Sequence, residues 1–298
     1  MRTVGRFAPS PTGELHFGSL LAAVASCLQA RSRGGQWLVR IEDIDPPREV
    51  AGSAQRIVQD LARLGLVSDL PVLYQSTRLE AYQAACDQLV SSGKAYWCGC
   101  SRKDWPASGV YPGTCRQGIA PGRKARAIRI RVDDKTLTFA DRFIGQVTEN
   151  LQHSCGDFII RRADGLYAYQ LAVVVDDAWQ KITEVVRGMD LLSSTIRQIW
   201  LQNCLSLPTP EYAHIPLAVR PDGQKLSKRL ASDPICLMQP VEALRAALTL
   251  LGHPPPVAAL HETWQWAYAN WSPRRFVPLG PPHHGDHRAT KMHPPGAD

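Results

Sequence analysis

The stretch GRFAPSPTGELHFGSLLAA, Gly5–Ala23, decides how the chain is read. A short apolar strand runs into a tight turn with two prolines around Ser10, and the turn leads to a helix with His16 at its mouth. A strand entering a helix through so short a loop leaves backbone N–H groups free at the helix N-terminus, where they and the helix dipole attract a phosphate. Ser10, Gly13, Gly18 and Ser19 are small enough for a nucleotide to come close to that backbone. His16 can donate a hydrogen bond to a phosphate oxygen. Neither a GxxxxGK[ST] nor a GxGxxG pattern is present, so on this stretch alone an ordinary strand-to-helix connection stays open.

More than two hundred residues later, KLSKR, Lys225–Arg229, lies in a polar loop with a turn signal at Asp222-Gly223. Lys225 and Lys228 can place positive charge on a polyphosphate, where it counts most as charge moves onto a leaving pyrophosphate. On this pentapeptide alone a solvated basic loop stays open; taken with the first loop, it points to a polyphosphate site.

Composition bounds the rest. The 298 residues carry 34 Lys+Arg against 27 Asp+Glu, a formal charge of +7 that favours a polyanionic partner. The N-terminus has no apolar signal core, and the longest apolar run, near Leu20–Leu28, is too short and interrupted to span a bilayer. A cytoplasmic protein without a membrane partner is expected. Eight cysteines without an export signal argue for reduced thiols or metal ligands rather than disulfides.

Strand-like and helix-like segments alternate over residues 1–96, the pattern of a parallel sheet covered by helices: TVGRFA, the helix from His16, WLVRIED, the helix REVAGSAQRIVQDLARLG, VLYQS, then the helix RLEAYQAACDQLVSSG. From Trp97 the chain turns rich in Cys, Gly, Pro and Arg, and RAIRIRV, LTFADRF and DFIIRR alternate like antiparallel strands, so residues 97–165 read as an inserted module. YAYQLAVVVDDAW, the strand-like KITEVVRG and the helical LLSSTIRQIWLQNCL restore the first pattern over 166–235. A small helical region follows over 236–276. Residues 277–298, with five Pro, three Gly and four His, predict disorder.

The two loops resemble the signatures of class I aminoacyl-tRNA synthetases, with HFGS at His16–Ser19 in place of the usual HIGH and KLSKR in place of KMSKS. RFAPSPTG, RIEDID at Arg40–Asp45 and VVRGMDLLSSTIRQ at Val185–Gln198 are similar to the glutamyl branch of that class. The resemblance runs from about Gly5 to Arg229. It implies an α/β fold: a Rossmann-like parallel sheet with an inserted zinc-knuckle and β module and a small C-terminal helical region. The implied reaction is attack of a glutamate carboxylate on the α-phosphate of ATP, with Mg²⁺ held mainly by phosphate oxygens and water. His16 and Lys228 would act on the developing charge, with Gly18 and Lys225 completing the ATP contacts. Carried over motif by motif, the glutamate contacts are Arg6, Ala8, Ser10, Glu42, Tyr169 and Arg187. Glu42 would take the ammonium, and Arg6 and Arg187 the carboxylates.

Within WCGCSRKDWPASGVYPGTCR, Cys98, Cys100 and Cys115 suggest a structural Zn²⁺ site one ligand short. The resemblance points to Tyr111 as the fourth ligand, with His153, Cys155 and Asp104 as rivals and a metal-free loop of thiols also open.

Only 69 residues follow Arg229, too few for the helical anticodon-binding region of a full glutamyl-tRNA synthetase. The truncated shape, the HFGS variant and the cysteine-tyrosine pattern are similar to paralogues of that branch which transfer glutamate to the queuosine base in the anticodon loop of tRNA(Asp). The partners implied are L-glutamate, ATP and queuosine-containing tRNA(Asp), with the protein a monomer. RKARAIRIRV offers phosphate contacts, with a solvated face equally open for any one of its arginines. Two other readings remain: a shortened glutamyl-tRNA synthetase charging a 3′ end, and a catalytically silent RNA-binding paralogue.

Overall fold

The computed structural model describes residues 2–215 and 234–272. The KLSKR loop, with Lys225 and Lys228, and the segment from Val277 onward lie outside the described residues.

Ten strands and eight α-helices are described, in the order β1 (Val4–Phe7), α1 (Phe17–Arg31), β2 (Gln36–Ile41), α2 (Ser53–Arg63), β3 (Leu73–Tyr74), α3 (Leu79–Ser91), β4 (Ala95–Cys98), β5 (Ala127–Ile130), β6 (Thr136–Asp141), β7 (Gly145–Asn150), α4 (Leu151–Ser154), β8 (Ile159–Arg161), α5 (Tyr169–Trp179), β9 (Glu184–Gly188), α6 (Leu192–Leu205), β10 (Glu211–Ile215), α7 (Pro240–Leu250) and α8 (Leu260–Asn270).

The seven-stranded sheet has the order β3-β2-β1-β9-β10-β6-β7 and is parallel except for the β6–β7 hairpin. From β1 the chain moves outward through β2 to β3, then returns on the other side of β1 as β9 and β10. The direction of winding therefore reverses between β1 and β9. In doubly wound sheets ligands bind at the carboxyl ends of the strands flanking such a reversal.

Helix α1 is apolar on nearly every side and buried along most of its length, because it lies between the sheet and helices α7 and α8. It sits close to β1: a Cβ on Gly5 would stand 3.1 Å from the Cβ of Ala30. The indole of Trp271 donates to Gln29, whose amide donates to Glu184 at the start of β9, so the C-terminal helices, α1 and the sheet share one polar tie.

Three local expectations change. VLYQS yields only a two-residue strand, because Gln75 turns inward to donate to the buried Asp176 and a 3₁₀ turn follows. The second helix begins at Ser53 rather than at Arg48, since Gly52 takes a left-handed φ of 75°. EYAHI forms a fifth central strand between prolines that disguise it.

The antiparallel strands expected after Tyr96 divide between two sheets. β5 pairs with β4 and β8 in a separate three-stranded sheet, whereas β6 and β7 extend the edge of the main sheet beside β10. Among the described residues no helix is long and apolar enough to cross a membrane.

Candidate functional site

A cavity of about 340 Å³ opens at the reversal between β1 and β9. The opening loop forms one wall, with Arg6, Ala8 and Ser10 followed by His16, Gly18 and Ser19 at the start of α1. Tyr169 at the start of α5 and Arg187 in β9 form the other. The loop is fixed from outside: the Ser53 hydroxyl donates to the Gly13 carbonyl, Val50 N–H donates to Pro11 O, and Glu42 N–H to Pro9 O at 2.9 Å.

At the mouth of α1 the His16 side chain makes no capping hydrogen bond to the helix, and its first turn contains no acidic residue. The positive end of the helix therefore opens on the cavity, as an incoming phosphate requires, with Glu14 and Asp190 the carboxylates of its lining.

Charged groups behind this wall form a chain of which only Arg6 lines the cavity; Glu42, Arg40 and Asp177 do not. Asp177 of α5 is fully buried and accepts Arg6 Nε at 3.2 Å and Arg40 Nη1 at 2.8 Å. Arg40 Nη2 reaches Glu42 Oε1 at 3.4 Å. Burial alone would push the Asp177 carboxyl up, but Arg6 and Arg40 outweigh it and hold the group below the usual carboxylate range. For Glu42 the balance falls the other way: burial pushes its carboxyl up to about 7, against the pull of Arg40 and Arg6. Burial also raises the Tyr169 phenol, with Glu42 adding to it. A cationic guest beside Glu42 would restore its charge.

Arg187 is held from behind. Its Nε donates to His214 Nε2 at 3.0 Å and its Nη2 to the Thr195 hydroxyl at 2.8 Å, while Nη1 is buried without a protein partner. His214 Nδ1 lies 2.6 Å from Asp141 Oδ2. Burial, reinforced by Arg187, lowers the imidazole pKa despite Asp141. The arrangement leaves one guanidinium nitrogen, Nη1, for an anionic guest.

A second cluster lies at the end of β4. The sulfurs of Cys98, Cys100 and Cys115 all lie within 4.8 Å of one another. The Tyr111 hydroxyl is 3.3 Å from the Cys98 sulfur and 3.4 Å from that of Cys100, and Cys100 and Cys115 sulfurs are 3.5 Å apart. Tetrahedral zinc at ordinary bond lengths separates its donors by about 3.5–3.8 Å, so these groups fit one small metal ion. The rivals are occupied elsewhere: Asp104 accepts from Ser101 and Arg123, His153 faces Asp134, and the Cys155 thiol donates to the Gly156 carbonyl. Arg129 is not available to RNA phosphates, contrary to expectation for its strand. It is buried with Nε 3.4 Å from the Cys98 sulfur and its guanidinium 3.8 Å from the Tyr111 ring centre.

Sequence reading missed Arg40, Asp177, Asp141, Thr195, His214 and Arg129. The double aspartate within apolar VVVDDAW was the one signal available, since a charge on a buried helix needs a partner. The others became visible only through strand pairing.

A family model described as tRNA synthetases class I (E and Q), catalytic domain, matches residues 2–105 and 113–255. The chain belongs to this family, and its fold is the class I fold of a mixed, mostly parallel sheet with helices. Among its relatives of matching length are proteins named glutamyl-Q tRNA(Asp) synthetase. Identity is 51% over 294 residues with that of Dechloromonas aromatica, covering 93% of this chain and 98% of that protein. With that of Pseudomonas aeruginosa it is 52% over 278 residues, covering 92% and 94%. Among solved structures, a glutamate tRNA ligase from Elizabethkingia meningosepticum superposes with a TM-score of 0.69 at 28% identity over 77% of this chain and 52% of that one. Glutamate-tRNA synthetase from Elizabethkingia anophelis gives 0.76 at 25%, over 88% and 65%. The chain thus spans about half to two thirds of these longer proteins.

Proposed function

We propose that the chain activates L-glutamate with ATP to glutamyl-adenylate and transfers the glutamyl group to the queuosine base in the anticodon loop of tRNA(Asp). The observation that carries this is the charge layout of the cavity. Glu42, buried beside Arg6 and Tyr169 rather than in the cavity lining, is the carboxylate we assign to the substrate ammonium, its carboxyl pushed up to about 7 by burial. The unpaired Nη1 of Arg187 suits a carboxylate, with Arg6 as its counterpart and Tyr169 adding a hydroxyl. The open mouth of α1 lies in the same cavity for the triphosphate. Ala8 and Ser10 let the amino acid lie against the loop backbone.

In this reading the protein forms no covalent intermediate. Arg6 and Glu42 hold the substrate so that a carboxylate oxygen faces the α-phosphate. His16 and the N–H groups at Gly18 stabilise charge on the phosphates, and Lys225 and Lys228 meet the departing pyrophosphate. Mg²⁺ bound with ATP, held mainly by phosphate oxygens and water, would supply further charge neutralisation. A buried Arg187 left without an anion would disfavour glutamine.

Cys98, Cys100, Cys115 and Tyr111 would hold one Zn²⁺ as a structural ion, cross-linking two ends of a loop that has little core of its own. A cytoplasmic monomer suffices for all these steps.

The deciding experiment incubates the protein with labelled glutamate, ATP and either queuosine-containing tRNA(Asp) or tRNA(Glu). Label on tRNA(Asp), absent when queuosine is absent, is the expected result. Label at the 3′ end of tRNA(Glu) would replace this reading with acceptor-end charging, and absence of pyrophosphate exchange would leave a silent RNA-binding paralogue.

A further inference from the structure

We propose that Asp141 and His214 are positioning residues for glutamate recognition, fixing Arg187 through a single imidazole tautomer so that Nη1 alone is presented to the substrate. The inference rests on the reading of Arg187 as a carboxylate ligand.

The register of the sheet creates the arrangement. His214 of β10 and Arg187 of β9 are direct partners on adjacent parallel strands, which puts their side chains on one face. Asp141 ends β6 and pairs with Tyr212, one strand further out and two residues before His214. All three side chains are buried, together with Thr195 of α6.

The proton positions follow from the donor inventory. Arginine can only donate, so His214 Nε2, 3.0 Å from Arg187 Nε and 3.1 Å from the Thr195 hydroxyl, is bare and accepts from both. The ring proton then sits on Nδ1 and is donated to Asp141 Oδ2 at 2.6 Å. Asp141 itself cannot rotate away. Its Oδ1 accepts the N–H groups of Phe143, Ile144 and His214 at 3.0, 3.1 and 3.2 Å. Arg187 therefore has Nε fixed by His214 and Nη2 by Thr195, and these two N–H groups form one edge of the guanidinium. Other charged groups in electrostatic reach of His214 are Arg187 and Arg6, and the ring of Tyr212 stacks on it at 6.2 Å.

This predicts an unusual sensitivity at Asp141. In Asp141→Asn the three backbone donors require the amide oxygen at the Oδ1 position, which turns the NH₂ group toward His214 Nδ1. The ring must then accept there and carry its proton on Nε2, facing Arg187 Nε–H, with only the Thr195 hydroxyl, which already accepts from Arg187 Nη2, left to receive it. One donor–donor contact would displace the guanidinium although only one heavy atom has changed identity.

The test is glutamate-dependent pyrophosphate exchange with ¹H–¹⁵N spectra of the histidine rings. The native protein should show His214 as the Nδ1–H tautomer, and Asp141→Asn should convert it to Nε2–H. The same variant should raise the KM for glutamate about ten- to a hundredfold, with the KM for ATP within about twofold. His214→Phe should do likewise, and His214→Gln, which can again accept from Arg187 and donate to Asp141, should recover part of the loss. A native Nε2–H tautomer overturns the inference. So does an unchanged glutamate KM in Asp141→Asn and His214→Phe while Arg187→Ala loses glutamate. An unchanged glutamate KM in Arg187→Ala overturns the reading of Arg187, and the inference with it.

Discussion

Arg6 and Arg40 donate to the same carboxylate oxygen, Oδ1 of Asp177, at 3.2 and 2.8 Å. Two guanidiniums from neighbouring parallel strands are thereby held on one buried anion from a helix packed across them. Arg6, the one of the two that lines the cavity, thus carries its counter-charge behind it.

Removing that anion should be costly. Asp177→Ala leaves two buried cations without it and should lower stability by roughly 3–5 kcal/mol, read as a fall in the urea midpoint. Because the carboxyl is held below its usual range, its contribution is present above the unfolded value near 3.8 and is lost as pH falls through the folded one. The midpoint of Asp177→Asn should therefore approach that of the native protein at strongly acidic pH.

Glu42 predicts a pH dependence of opposite origin. With a folded value of about 7 against 4.5 unfolded, the empty protein binds an extra proton across that window, so this group's contribution to stability declines as pH rises through it. Docking an ammonium requires the charged form. The KM for glutamate should rise below pH 7 by up to roughly tenfold per pH unit, with proton release visible as a buffer-dependent binding enthalpy. Glu42→Gln should bind glutamate weakly and without this pH dependence; an unchanged profile would remove Glu42 from ammonium recognition.

Metal removal should uncouple the cysteine loop from the sheet. A strong chelator is expected to lower the melting temperature and free about one zinc ion per chain. Cys115→Ser should lose most of the metal and Tyr111→Phe should bind it more weakly. Undiminished zinc in both variants would exclude these ligands.

Lys228, known here only from its motif, should matter to the chemical step rather than to substrate binding. Lys228→Ala is expected to reduce the rate of pyrophosphate exchange about 10²- to 10³-fold while the melting temperature holds. A loss confined to the KM for ATP would assign Lys228 to binding alone.

The fold was legible where local pattern and tertiary need coincide. The β1–α1 unit could be read because a strand, a proline-rich turn and a continuous apolar helix are all encoded locally. VVRG likewise put Arg187 on the cavity wall, whereas Glu42 of RIED lies outside the lining. β10 escaped because prolines flank a five-residue strand that exists only through its pairing with β9 and β6. His214 and Asp141 escaped for the same reason: 73 residues separate them, and nothing in the intervening sequence announces that two strands will meet. Arg129 was read as basic surface because alternation could not reveal which side of β5 packs on the cysteines.

The hairpin of β6 and β7 bears on how the protein could be dissected. It leaves the main sheet's chain order but not the sheet, and it returns Asp141 to a position behind Arg187. A minimal catalytic fragment made by excising residues 97–165 and joining the flanks would therefore lack both an edge of its sheet and the anchor of its own His214. The interruption is a structural part of the enzyme half it divides, and grafting it away or exchanging it between relatives would require carrying residues 136–150 with the host.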